Sequence, residues 1–148
     1  MRILGMVVAM ALAVAAVLAA PVGAKPKKST GTKLTATMEG AKERPDPGPS
    51  GASGKATIRL NQGAGTVCYS LTWSGIGDPV MAHIHRGGPE VAGTIVVPLF
   101  TQPPARHHGC VHASRSLIKK IRRSPDDYYV NIHTQDFPAG VMRGQLEK

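Results

Sequence analysis

The chain has 148 residues, of which 42% are hydrophobic and 18% charged, and its formal net charge is +9. Beyond residue 24 no stretch is apolar enough to span a membrane, and the remaining 124 residues suit one domain with a real core. The positive charge favours anionic partners such as wall polymers, lipid head groups or nucleic acid, but it carries no information about the fold.

The N-terminus has the pattern of a secretory signal peptide over residues 1–24. Arg2 supplies the positive charge, an apolar run extends from Ile3 to Ala20, and small residues precede a cleavage site after Ala24. The apolar run is longer than usual, so an uncleaved membrane anchor is the alternative. We expect a secreted chain of charge +8, because Arg2 is the single charge of the leader. Export makes nucleic acid the least expected of the anionic partners.

Short strands are predicted after a flexible basic tail at residues 25–32, within a domain that spans residues 33–148. Apolar and polar residues alternate with a period of two, which is typical of half-buried strands. Glycine and proline clusters between them predict turns, and the longest cluster, residues 40–54, predicts a surface loop. The predicted strands cover residues 33–39, 55–60, 66–73, 80–86, 94–99, 128–134 and 141–146.

Three histidines occupy outward positions on two of these strands. Around His83 and His85, alternation directs the apolar neighbours into the core and both imidazoles outward, toward a loop or water. The same reasoning places His133 on the outer face of the 128–134 strand. The three rings converge only where these two strands are neighbours, and the sequence does not establish that pairing.

Cys68 and Cys110 are the two cysteines of the chain, and in an exported protein such a pair predicts a disulfide. The bridge would close a loop of about 43 residues, which the chain-entropy model values at up to ~4 kcal/mol. Two buried thiols or a soft-metal site are the alternatives. Residues 101–110 are predicted to form an irregular loop, and the bridge would pin the loop that carries His107, His108 and His112.

A single helix is predicted over residues 114–123. Leu117, Ile118 and Ile121 form a narrow apolar stripe, and Ser114 suits the N-cap position. Cations cluster near the C-terminal end of this helix, where they either complement the helix dipole or form a patch that binds polyanions. These cations are Lys119, Lys120, Arg122 and Arg123.

Several motifs together resemble the CHRD (chordin-type) domain family over residues 34–146. They are Gly40-Ala-Lys-Glu-Arg-Pro45, Ala52-Ser-Gly-Lys-Ala56, Ala82-His-Ile-His-Arg-Gly87, Tyr129-Val-Asn-Ile-His-Thr134 and Phe137-Pro-Ala-Gly-Val-Met-Arg-Gly-Gln-Leu146. The last is similar to the family's Gly-Glu-Ile-Arg-Gly signature, but Val141 and Met142 replace the acidic residue and its apolar neighbour.

The resemblance implies an all-β, immunoglobulin-like fold, weakly similar to copper/zinc superoxide dismutases. This agrees with the seven predicted strands, which favour an antiparallel β-sandwich or barrel with one short helix. The family itself implies no particular biochemical activity. Those dismutases also carry a His-x-His strand, with copper ligands outside the barrel under long loops, and the outward histidines of this chain are compatible with that arrangement.

A metal site at His83, His85 and His133 is therefore one hypothesis, because neutral imidazole suits copper or zinc. The alternative is that these rings bond to loop backbone and fix the rim of the barrel. Arg143 is either a guiding cation beside the metal or a structural residue that satisfies rim carbonyls. Candidates for a fourth ligand are Glu90, His107, His108 and His112.

No catalytic residue is predicted. No serine lies in a Gly-x-Ser-x-Gly turn, the carboxylates are few and scattered, and no second cluster of histidine and aspartate appears for a partner zinc. The first hypothesis is a secreted binding or structural domain that needs no cofactor. The alternatives are a copper or zinc protein with a dismutase-like histidine site, and a protein that binds anionic polymers or proteins outside the cell.

Overall fold

A computed structural model describes residues 31–148 and arranges them in eight antiparallel strands and one helix. The strands are β1 (Thr32–Glu39), β2 (Ser53–Asn61), β3 (Thr66–Ser74), β4 (Pro79–Arg86), β5 (Thr94–Phe100), β6 (His108–His112), β7 (Tyr128–Thr134) and β8 (Met142–Gln145). The helix α1 covers Arg115–Arg123, and single 3-10 turns occupy Gly40–Lys42 and Pro125–Asp127.

The strands follow the order β5-β4-β7-β8-β1-β2-β3-β6 in one sheet. β5 and β6 approach each other at its two ends, so the sheet is a nearly closed barrel. The predicted all-β class with one short helix is confirmed. β4 lies beside β7 although more than 40 residues separate them in the chain, and this long-range pairing determines where the histidines meet.

The core fills the inside of this barrel with the apolar positions of the alternating pattern. Leu34 on β1, Ile58 on β2, Ile84 on β4 and Ile132 on β7 are all completely buried there. Burial of each such side chain contributes roughly 1.5–3 kcal/mol. β7 differs from the half-buried strand that alternation predicts, because all seven of its residues are buried. Its inner face meets the core, and its outer face is covered by loops.

β6 overlaps the end of the segment that was predicted to be an irregular loop, and that prediction is wrong for residues 108–110. Its sequence, His-Gly-Cys-Val-His, has no apolar alternation, and β6 forms by pairing with β3. The predicted disulfide is confirmed, but Cys68 and Cys110 are directly opposed on β3 and β6. The bridge therefore links two neighbouring strands and does not tether a long free loop.

α1 begins as predicted. Ser114 is the N-cap, and its hydroxyl oxygen accepts a hydrogen bond from the Leu117 amide at 3.2 Å, a contact worth ~1 kcal/mol. Ile118 and Ile121 are buried and Leu117 is half-buried. The predicted signal peptide lies outside the described residues, as does the predicted tail up to residue 30. In the described part of the chain, no helix combines the length and apolar character needed to cross a membrane.

Candidate metal centre

The three histidines meet on the outer face of the β4–β7 pair. In the antiparallel register His83 is opposite Asn131, His85 is opposite Tyr129, and Met81 is opposite His133. The apolar residues between them face the core, as alternation predicts. The histidines are nevertheless buried, with exposed fractions of 4% for His83, 8% for His85 and 5% for His133.

Two loops cover the rings and are bonded to them. His85 Nδ1 lies 2.9 Å from the carbonyl oxygen of Gly93, at the end of the β4–β5 loop, and His133 Nδ1 lies 3.0 Å from that of Pro138, in the β7–β8 turn. The disulfide takes no part in this cover. The loops that cover the site are therefore the β4–β5 loop and the β7–β8 turn, and not the segment with His107, His108 and His112 that the sequence analysis placed beside the disulfide.

These contacts fix the tautomers of two rings. A carbonyl oxygen only accepts, so Nδ1 carries the hydrogen in His85 and His133, and Nε2 of each neutral ring presents a lone pair. His133 Nε2 lies 3.1 Å from His83 Nδ1, which therefore donates to it. His85 Nε2 is buried without any partner. The ligand atoms of the three rings all lie within 4.8 Å of one another, and no other group of this kind occurs in residues 31–148.

Burial lowers the pKa of all three imidazoles. The pKa of His83 falls to about 4, with further lowering by the neighbouring His133 and His85. Burial also lowers the pKa of His85 and of His133, although in each case the backbone hydrogen bond raises it in part. The rings are therefore neutral at pH 7, and neutral imidazole is the form that binds metals.

A buried polar pair lies beside the histidines. Asn131 Nδ2 donates to Glu43 Oε2 at 2.5 Å, and desolvation raises the pKa of the Glu43 carboxyl. Asn131 Oδ1 and His85 Nε2 are the two buried side-chain atoms without a hydrogen bond in the described part of the chain. Asn131 Oδ1 thus presents free lone pairs on the same face of the sheet as the histidines. Sequence reasoning missed Glu43, although it lies within the Gly40–Pro45 motif.

Gly140 allows this pair to pack against the β7–β8 turn. A Cβ at this position would lie 2.5 Å from Asn131 Nδ2 and 2.6 Å from Glu43 Oε2, and the backbone has φ +139°. The short contacts and the positive φ both exclude a residue with a side chain, so only glycine fits where the turn approaches Asn131 and Glu43.

Residues 34–146 match the family described as CHRD domain. The chain belongs to the CHRD domain family. Comparison with curated proteins and with solved structures gives no significant match. All three histidines and Glu43 lie within the region that matches the CHRD domain, which covers nearly all of the described chain.

Arg143 holds the covering loop of this CHRD domain to the sheet. Its guanidinium donates to the carbonyl oxygens of Val91 at 2.8 Å and Gly88 at 2.9 Å, and to Gln145 Oε1 at 3.1 Å. Its Cζ lies 3.3 Å from the ring centroid of Tyr129, on which His85 also stacks. Arg143 is 1% exposed, and its contacts are those expected of a structural residue that satisfies carbonyl groups at the rim of the barrel.

The four candidates for a fourth ligand do not join the cluster. Glu90 is exposed and forms an ion pair with Arg44 at 2.9 Å. His107 stacks on Trp73 with the ring centroids 4.0 Å apart, and His108 and His112 are exposed residues of β6, where they are paired with β3. His107, His108 and His112 are close to Cys110 in sequence, but β6 is separated from β4 and β7 in the sheet, so these histidines lie away from the cluster.

Proposed function

We propose that this protein is an exported extracellular binding domain whose three clustered histidines hold one copper or zinc ion. The observation that carries the proposal is the buried Nε2 of His85, which has no hydrogen-bond partner and belongs to a group of neutral imidazoles with converging ligand atoms. Export through residues 1–24 is part of the proposal, and the family and the disulfide fit an extracellular protein.

The donor set suits these metals. Copper and zinc bind imidazole nitrogen at about 2.0 Å, so two nitrogens on one ion lie roughly 3.3–3.5 Å apart in trigonal or tetrahedral geometry. The separation of 3.1 Å between His83 Nδ1 and His133 Nε2 is close to this value. The carbonyl groups of Gly93 and Pro138 would orient two of the ligands, which is the usual arrangement around metal-bound histidine.

Metal binding requires one proton to move. His83 Nδ1 donates to His133 Nε2 in the metal-free site, so this hydrogen must leave before both nitrogens can bind an ion. A neutral His83 achieves this by carrying its hydrogen on Nε2 instead. The metal would supply Lewis acidity or a redox couple, and the chain's own residues supply the neutral donors, their orientation and a cover against water.

The alternative, in which the rings only fix the rim, explains less. The backbone bonds of His85 and His133 would serve a rim equally well, but a buried nitrogen without a partner costs about 1–3 kcal/mol. A metal ion at His85 Nε2 removes that cost. The unpaired atom therefore favours the metal over the purely structural role.

The test uses protein without a polyhistidine tag, collected from the medium, stripped of metal and titrated separately with Cu²⁺ and Zn²⁺. We expect a chain that begins at Lys25, one bound equivalent of at least one of the two ions, and a higher Tm with that ion. A chain retained in the membrane with residues 1–24 intact would contradict export.

Two variants locate the ion. His83→Ala/His85→Ala should lose the bound equivalent, and the matched control His107→Ala/His108→Ala, which removes two exposed histidines, should retain it. His85→Gln gives a milder change where the double variant folds poorly by circular dichroism. Equal loss in the control, or wild-type protein that binds neither ion and gains no thermal stability from them, would refute the metal site.

A further inference from the structure

The solvent-facing side of α1 carries five cations, and Ser116 is its one exposed residue without a charge. The helix contains no acidic residue, and its apolar residues Ile118 and Ile121 point into the core. The exposed cations are Arg115, Lys119, Lys120, Arg122 and Arg123. This face lies on different elements from the histidine cluster, so binding here does not require the proposed metal.

Helix geometry arranges these cations in a row. Arg115, Lys119 and Arg123 are spaced by four residues, so they line one side of the helix over about 12 Å, and Arg122 and Lys120 flank them. Like charges at this spacing destabilise a helix, and the helix contains no carboxylate that would offset them. Asp126 and Asp127 come only after the C-cap Ser124.

Two further exposed cations lie on the sheet near this end of α1. Arg122 donates to Thr32 Oγ1 at 2.9 Å and to Gln62 Oε1 at 2.8 Å, which places it where β1 begins and β2 ends. The next cross-strand pair there is Lys33 opposite Arg59, two exposed cations face to face. Like charges in directly opposed positions are unfavourable in a sheet. Neither ion pair of the described chain involves any of these seven cations.

We propose that α1 and the adjoining ends of β1 and β2 bind a linear anionic polymer that carries repeated phosphate or carboxylate groups. A row of cations on a helix that has no acidic residue matches a chain of regularly spaced anions, and binding would relieve both sets of like-charge contacts. A membrane surface fits less well, because the apolar residues of α1 pack into the core or are half-buried and leave no apolar face to enter lipid.

The experiment measures binding of the full secreted protein to long-chain polyphosphate, to polygalacturonate and to phosphatidylglycerol vesicles between 20 and 300 mM NaCl. We expect the logarithm of the association constant to fall linearly with the logarithm of salt concentration for at least one polymer. Lys119→Gln/Arg123→Gln should weaken binding about tenfold at low salt and reduce the magnitude of the salt slope by between one and two. The comparison of the two polymers shows which of the two anionic groups the surface binds more tightly.

The control Lys55→Gln/Arg106→Gln removes the same charge at the other end of the barrel. Lys55 is opposite Thr72 on β3, and the loop that carries Arg106 is hydrogen-bonded to the neighbouring Leu71. Gln62, which contacts Arg122, follows Lys55 by seven residues, a distance of roughly 23 Å along the strand. This control should bind nearly as well as the wild type. The proposal is overturned by equal weakening in both variants, by the absence of binding to either polymer at 20 mM NaCl, or by binding only to phosphatidylglycerol vesicles.

Discussion

Arg143 connects the loop that covers the histidines to the sheet beneath it. Its planar guanidinium reaches two loop carbonyls and one side-chain oxygen at once, while its face rests on Tyr129. Tyr129 in turn stacks on His85 and accepts a hydrogen bond from the Gly93 amide at 2.9 Å. One side chain therefore stabilises both the loop and the orientation of a proposed ligand.

Arg143→Lys should show how much depends on this geometry. A lysine keeps the positive charge but cannot donate in two fixed directions or stack in the same way, so we expect a loss of about 2 kcal/mol in the free energy of unfolding. Urea denaturation measures this loss. Hydrogen exchange at the Gly93 amide should accelerate more than exchange at the amides of β2, and equal acceleration at both would contradict a local role for Arg143.

At the scale of elements, β6 is the strand with least support from the core. It has five residues, none of them buried, and within the sheet it pairs only with β3. The Cys68–Cys110 bridge joins these two strands at the middle of their ladder. The covalent link therefore compensates for the apolar burial that β6 lacks.

Removal of the bridge in Cys68→Ser/Cys110→Ser should lower the free energy of unfolding by about 2–4 kcal/mol. Chemical denaturation gives the total loss, and faster hydrogen exchange at Val111 would locate it in β6. Metal binding should survive in the folded variant, because no residue of β3 or β6 belongs to the histidine cluster. Loss of metal from protein that is still folded would contradict this separation of the two regions.

At the scale of the whole molecule, stability should depend on pH through the buried histidines. Their pKa values are lower in the folded protein than in the unfolded chain, so between the two values the unfolded chain binds protons that the folded form does not. For His83 the stabilising effect of the neutral ring is present above pH 6.5 and is lost as the pH falls toward about 4. His85 and His133 act in the same direction. Glu43 acts in the opposite direction, since its raised pKa favours the folded form on acidification.

A comparison of metal-free wild type with His83→Gln separates the histidine effect from that of Glu43. Between pH 7 and pH 4 the wild type should lose up to roughly 3 kcal/mol more than the variant, as expected from the shift of the His83 pKa from 6.5 to about 4. Urea denaturation at intervals of half a pH unit measures both curves. Parallel curves would show that His83 titrates normally.

The sequence predicted those parts of the fold that follow from local periodicity. Alternation predicted seven of the eight strands and the outward side of His83, His85 and His133, and capping chemistry predicted the start of α1. The pairing of β4 with β7 was not predictable, because it depends on the topology of the whole sheet and leaves no local pattern. For the same reason the sequence did not reveal the strand at His108–His112, which forms by pairing alone.

The burial of the site was also beyond local patterns. The covering segments, residues 87–93 and 135–140, are irregular, and nothing in their composition indicates that their carbonyl oxygens reach His85 and His133. Glu43 is 88 residues away from its partner Asn131 in the chain. Family motifs contained these positions, but only coordinates show which side chains in the motifs are in contact.

The cover over the histidines has a consequence for exchange with the surroundings. Less than a tenth of each histidine is exposed, so an ion at the proposed site would enter or leave only when the 87–93 segment or the β7–β8 turn lifts from the sheet. The rate at which the site takes up metal would then depend on how often the cover opens, and not on the affinity of the histidines for the ion. A strong chelator would empty such a protein slowly, and a brief encounter with free metal would leave most molecules unfilled.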